Sequence, residues 1–545
     1  SVQARAGGEP TANTCGGNAA VTDPTVDNPA DTEYEVGQDN IQVAGLDIHN
    51  PVFFISSLVI IAFIAYALTF QEQAGAILGT LRPWLTDNFD WVFMLAGNLF
   101  VLVCIALILT PYGSIRIGGR NAEPEYSYAG WFAMLFAAGM GIGLMFYGVA
   151  EPLYHTQSPP LGIDPENTAL AREAGMAATI FHWGLHPWAI YGTLALGLAF
   201  FCYNRGLPLT LRSLFFPLLG DRVWGWFGHI IDTMAVFATL FGLATSLGYG
   251  AQQASAGLSY LFGLPSTDNA QVVLIACVTG AALVSVVAGL DAGVKRLSEL
   301  NMSLAFLLLL FIIAVGPTLA ILTGFFTNIW AYVQYLPSLS NWVGREDTDF
   351  MHGWTTFYWA WWISWSPFVG TFIARVSKGR TIREFMLGVL IVPTLVSVLW
   401  MTAFGGTAVD LYLEQGVDAL AQGLDLSLFV MAEQLPLTAI VSFIGIVLVL
   451  VFFVTSSDSG SLVIDTITAG GKLDAPVTQR IFWATAEGVV AITLLLGGGL
   501  GALQAAAIAT GFPFAIILMA ACVGLFAGLQ EERRVLVKAS AAAAE

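Results

Sequence analysis

Phe136-Ala-Ala-Gly-Met-Gly-Ile-Gly-Leu-Met-Phe-Tyr-Gly-Val-Ala-Glu-Pro152 is apolar enough to lie in a membrane, yet Gly139, Gly141 and Gly143 interrupt it. Each mid-helix glycine costs about 1 kcal/mol relative to alanine, so the run lowers the penalty for unwinding. Unwound backbone at membrane depth offers carbonyls to a cation and amides to an anion. It persists only where protein or a water-filled cavity satisfies it. Gly139 and Gly143 also make a small-xxx-small pair suited to close helix packing, but the alternation of glycines favours a break. The run is not a nucleotide loop, because Leu144 stands where G-x-G-x-x-G would continue from Gly139.

The surrounding chain is of the same kind. Of 545 residues, 56% are hydrophobic and 11% charged, and mean hydropathy is +0.73. A soluble domain carries about 25% charged residues, so the expected fold is an all-α polytopic membrane protein. Twelve transmembrane helices are predicted at about 51–70, 90–112, 128–154, 176–203, 226–262, 270–290, 300–324, 354–376, 384–409, 436–457, 479–496 and 502–528. The mixed segments near 326–343 and 410–434 read as short interfacial helices.

Charge placement orients these spans. Of the 20 Lys and Arg, all but Arg82, Arg172 and Arg345 fall in the N-terminal segment or in the loops after even-numbered spans. The positive-inside rule then places both termini in the cytoplasm. The net charge of −18 argues against a nucleic-acid partner. Residues 1–50 hold eight carboxylates against Arg5 and read as a disordered acidic cytoplasmic tail with no signal peptide. The five cysteines are scattered without metal-ligand spacing.

Three further islands carry chemistry. Phe357-Tyr-Trp-Ala-Trp-Trp-Ile-Ser-Trp-Ser-Pro367 places Trp361 and Trp365 one helical turn apart, with Trp362 beside them. Tryptophan offers the strongest cation–π face, although an interfacial aromatic belt also uses this residue. His182-Trp-Gly-Leu-His-Pro-Trp-Ala-Ile-Tyr191 contains a helix-kinking Pro187, and Trp183 and Tyr191 lie roughly on one face. Its histidines, four apart, lack a sequence-adjacent acidic third ligand and favour hydrogen bonding over metal. Phe452-Phe-Val-Thr-Ser-Ser-Asp-Ser-Gly460 supplies hard hydroxyl donors at Thr455 and Ser456, a pattern shared with simple helix capping. Glu151, Asp232, Asp458 and Glu487 are carboxylates at or near membrane depth and candidates for proton relay. For Glu151, a structural hydrogen-bonding role is at least as well supported.

These islands, with Arg375-Val-Ser-Lys-Gly-Arg380 and Phe404-Gly-Gly-Thr407, resemble the betaine/choline/carnitine transporter family over about residues 51–528. The resemblance implies a LeuT-like inverted five-plus-five repeat with two extra N-terminal helices. The divisions are 51–127 for the extra pair, 128–352 for the first repeat and its connecting interfacial helix, and 353–528 for the second repeat. Residues 529–545 remain as a short cytoplasmic tail, too short for the long basic extension of osmosensing members or for a sensor's output domain.

By the same resemblance, Trp183, Tyr191, Trp361, Trp362 and Trp365 form an aromatic box, with Met140, Gly141 and Gly143 against the substrate. A sodium ion, the coupling ion of such symporters, falls to Ala137, Met140, Phe452, Thr455 and Ser456. Some members hold a second sodium on two Thr one turn apart; here Thr239 fits and Leu243 does not. Choline carriers tend to have Asp where Gly143 stands, so glycine leans toward a zwitterion. The expectation is a homotrimeric, non-enzymatic sodium symporter for glycine betaine or a similar compatible solute in the plasma membrane. The rivals are a sodium-independent exchanger or proton-coupled carrier of choline, carnitine, ectoine, proline or dimethylsulfoniopropionate, and a non-transporting solute sensor. No nucleophile elbow, zinc motif or phosphate loop suggests an enzyme.

Overall fold

A computed structural model describes residues 32–139, 141–288 and 291–542. The helices are α1 (Val52–Thr69), α2 (Gln71–Leu109), α3 (Tyr128–Gly139), α4 (Ile142–Gln157), α5 (Thr168–Trp183) and α6 (Leu185–Tyr203). Then follow α7 (Phe216–Leu219), α8 (Trp226–Phe262), α9 (Asp268–Val287), α10 (Asp291–Val315), α11 (Thr318–Ser340) and α12 (Thr348–Phe350). The last third holds α13 (Thr356–Val376), α14 (Ile382–Gln415), α15 (Ser427–Ala432), α16 (Thr438–Thr468), α17 (Val477–Leu496) and α18 (Gly499–Ala542).

Among the described residues, ten helices are long and apolar enough to cross a membrane, or eleven when the bent α3–α4 pair counts as one span. The chain is therefore a multi-pass helical membrane protein. The predicted eighth span corresponds to α13, whose 21 residues extend about 31 Å at 1.5 Å per residue. It is not among the helices that pass on hydropathy, because Trp, Tyr and Ser occupy so many of its positions. Burial ranks the helices from centre to lipid: the α5–α6 span is 94% buried and α8 83%, against 28% for α10.

Helix breaks fall where the chain loses side chains or amides. α3 and α4 meet at 69°, across Gly141 in a fully extended conformation (φ −173°, ψ −175°). Gly184 separates α5 from α6, one turn before Pro187 removes an amide donor. Thr381 starts α14 with a reciprocal capping box to Glu384. The centre pairs helices in an exchanged pattern: α13 packs on α6 while α4 packs on α14, α8 packs on α16, and α9 on α17.

Several sequence boundaries need correction. The seventh span was expected at 300–324, but the helix ends at Val315 and α11 begins at Thr318. Gly316-Pro317 interrupts an apolar run that hydropathy reads straight through, because proline disfavours helix in the residue before it. The interfacial segment 410–434 is helical only to Gln415 and again over Ser427–Ala432. Residues 40–49, assigned to a disordered tail, form an antiparallel hairpin of β1 (Asn40–Val43) and β2 (Leu46–His49). Tertiary contacts hold it: Asp47 pairs with Lys472 at 2.6 Å, and the Asn40 amide donates to the Ala469 carbonyl at 2.9 Å. Residues 1–31 of the predicted tail lie outside the described residues.

Candidate functional site

The extended backbone at Gly141 lets α4 begin beside α5, α6, α8 and α13, and a cavity of about 50 Å³ opens among them. Gly141, Gly143, Trp183, Tyr191, Trp361, Trp362 and Trp365 all line it, so the structure brings these expected residues to one cavity. Met140 lies outside the described residues. Trp361 and Trp362 stack at 4.7 Å with planes 13° apart, and Trp183 meets Trp362 at 4.9 Å and 70°. Tyr191 approaches Trp362 at 6.3 Å.

Each indole N–H in this box is bound to protein. Trp183 donates to Glu151 Oε2 at 2.7 Å, Trp361 to Ser246 Oγ at 3.1 Å, Trp362 to the His182 carbonyl at 2.9 Å, and Trp365 to the Gly242 carbonyl at 2.9 Å. The rings are thus oriented, and their remaining interaction with a guest is through π density and apolar contact. Such a lining suits an onium group, which has no N–H to donate to an oxygen. Gly143 keeps it open: a Cβ there would lie 2.7 Å from Trp183 Cη2 and 3.1 Å from Trp361 Cη2. Trp359, the fourth tryptophan of the cluster, turns away and stacks on His186 at 5.2 Å.

Glu151 anchors one wall. Its Oε1 contacts His182 Nδ1 at 2.6 Å, and its Oε2 also accepts from the Tyr358 hydroxyl at 2.5 Å. His155 Nε2 stands 3.4 Å from Oε1, and all of these side chains are buried. The histidine pair divides: His182 joins this cluster, whereas His186 meets Asn98 at 3.0 Å. The acidic companion missing from the local sequence is supplied by α4, and it already serves as a hydrogen-bond acceptor for two helices. Sequence reading missed Tyr358, Ser246 and the cavity-lining Trp188. Only a generic aromatic or hydroxyl signal marks them.

A second cavity of about 340 Å³ adjoins the first, sharing Ala138, Trp365 and Val369 with it. Ala137, Phe452, Thr455 and Ser456 line it, so the described members of the expected cation set converge on one space. The Thr455 hydroxyl donates to the Val451 carbonyl at 2.9 Å, which leaves its lone pairs available. Two hydroxyls with backbone carbonyls and no carboxylate fit a monovalent hard cation rather than a divalent one. At the other expected position, Thr239 bonds the Ala235 carbonyl at 2.7 Å. Leu243 packs against the bare backbone of Gly460 and offers no oxygen.

These features define a polytopic helical carrier with a small aromatic cavity at a helix break. The family model described as betaine/carnitine/choline family transporter matches residues 51–534, and the chain belongs to that family. It is 59% identical to a glycine betaine/proline/choline transporter of Vibrio parahaemolyticus over 94% of this chain and 96% of that one. A glycine betaine transporter of the same organism is 56% identical, covering 92% and 98%. A glycine betaine/proline/choline/ectoine transporter, also from that organism, is 52% identical over 92% and 91%. The protein is accordingly a transporter of the betaine/choline/carnitine type and not an enzyme.

Proposed function

We propose that the protein imports a zwitterionic onium compatible solute, glycine betaine first, by sodium symport across the plasma membrane. The observation that carries this reading is the box of indoles whose N–H groups are all bound elsewhere, beside a hydroxyl-lined cation cavity. The relatives' printed substrates are in keeping with it, and Gly143 leaves no counter-charge for a cation lacking its own carboxylate. The basic loops favour twelve spans with both termini cytoplasmic. The exchanged packing of α13 on α6 and α4 on α14 favours an inverted repeat. A homotrimer belongs to the same proposal.

The onium group enters among Trp183, Tyr191, Trp361, Trp362 and Trp365, while amides of the Gly141–Gly143 break face its carboxylate. Sodium is co-transported on Ala137, Met140 and Phe452 carbonyls with the Thr455 and Ser456 hydroxyls. A sodium ion held by these residues would link the broken α3–α4 pair to α16, and so couple ion binding to the backbone that lines the box. The larger cavity runs from this region toward Arg375, and charge placement favours the cytoplasmic side for that end, in keeping with a release path there. Leu243 has no side-chain oxygen at the position where some family members hold a second sodium, which leaves the Thr455 and Ser456 set as the better supported cation site.

The test is uptake of labelled glycine betaine into proteoliposomes with an imposed sodium gradient, and with potassium replacing sodium. Accumulation only with sodium supports the reading. Movement indifferent to sodium supports the exchanger or proton-coupled alternative, and no movement of betaine removes it as the substrate.

A further inference from the structure

The larger cavity contains more than the cation donors. Asn301 on α10 lines it, is 1% exposed, and among the described residues has neither its carboxamide oxygen nor its nitrogen bonded. A buried amide without partners is costly in a finished interior, at roughly 1–3 kcal/mol for an unmade bond, and its presence on a cavity wall calls for a ligand. Arg375, at the end of α13, lines the same cavity and makes no ion pair or hydrogen bond among the described residues. Arg375 is an exposed side chain, and among the described residues no Asp or Glu lines this cavity. The opposite character is supplied by Trp365, Phe368 and Phe372, three aromatic rings from the same helix.

We propose that this cavity is a second solute station on the release path, separate from the aromatic box and specific for the carboxylate end of a zwitterion. The proposal rests on the transport reading above. Arg375 and Asn301 together offer N–H donors to a carboxylate, and guanidinium is the side chain best matched to its planar geometry. The onium end rests on Trp365, which also belongs to the box, and on Phe368 and Phe372. A solute leaving the box therefore turns about Trp365 and exchanges glycine-loop amides for Arg375 and Asn301. About 340 Å³ accommodates a small zwitterion, and the cation donors open into the same space, so ion and solute share one exit.

The test compares the two faces of the membrane. Half-saturation for external betaine is measured by uptake, and for internal betaine by efflux from loaded vesicles of known orientation. Arg375→Gln is expected to raise the internal value about tenfold, the scale of a charge-assisted hydrogen bond, and to leave the external value within about twofold. Asn301→Ala should shift the same face by a smaller factor, and Arg375→Lys should recover part of the loss. An unchanged internal value, or an equal shift on both faces, overturns the station. If the wild-type protein moves no betaine at all in either direction, the functional reading fails first and the station falls with it. Movement on both faces with an unshifted Arg375→Gln variant removes the station alone.

Discussion

The Glu151 carboxylate accepts the Trp183 indole N–H at 2.7 Å, and so a residue in the C-terminal half of α4 sets the orientation of a ring in the box. The same oxygen takes the Tyr358 hydroxyl, which ties α4 to α5 and α13. Glu151→Ala would strand several buried donors, each costing about 1–3 kcal/mol when unmet. We expect a lowered melting temperature together with a half-saturation for solute raised about tenfold or more. Glu151→Gln keeps an acceptor and should fall between. An alanine variant with wild-type affinity and stability would show that the anchor is dispensable.

Trp362 contacts Trp361, Trp183 and Tyr191 within the box. A desolvated cation–π contact contributes about 2 kcal/mol or more, so Trp362→Leu should raise the half-saturation for betaine by at least about tenfold. Because leucine fills much of the apolar volume, expression and detergent stability should change little. Normal uptake by a well-expressed variant would remove Trp362 from the site.

Much of this site was legible in the chain because its chemistry is concentrated. Trp361, Trp362 and Trp365 occur within one helical turn or so, and Gly139, Gly141 and Gly143 mark a break that no ordinary span requires. What escaped depends on contacts between distant elements. Ser246 becomes a partner of Trp361 only when α8 packs on α13, and nothing in its own neighbourhood announces that. Glu151 stood out as a carboxylate at apolar depth, but its partners lie 31, 32 and 207 residues away. The hairpin at 40–49 was hidden by acidic composition, since its order derives from Lys472 and the Ala469 carbonyl rather than from local propensity. Hydropathy also passed over Gly316-Pro317, because an averaging window registers apolarity and not the loss of a single amide.

Thr455 and Ser456 face one cavity with Ala137 and Phe452. Replacing both hydroxyls with alanine should raise the sodium concentration for half-maximal transport about tenfold, the loss expected for oxygen contacts to a charge. The maximal rate at saturating sodium should recover substantially. Since Leu243 gives no second oxygen site, sodium activation should be hyperbolic with a Hill coefficient near one. A sigmoidal curve would require another cation site.

His49, at the end of β2, is fully buried, and among the described residues neither ring nitrogen is bonded. Burial, then the charge of Arg212 and the nearby His229, pushes its pKa down from 6.5 to about 3. A histidine depressed in the folded state is neutral there while the undocked segment binds a proton more readily. Its contribution to docking is therefore complete above about pH 6.5 and is lost as pH falls from there toward 3. Hydrogen exchange over residues 40–49, corrected for intrinsic rates, should show the hairpin protected at about pH 7.5 and loosened at about pH 5.5. His49→Phe keeps an apolar ring in the same space without a titrating group, and should hold protection nearly constant across that range. Equal pH sensitivity in the phenylalanine variant would assign the loosening to another group.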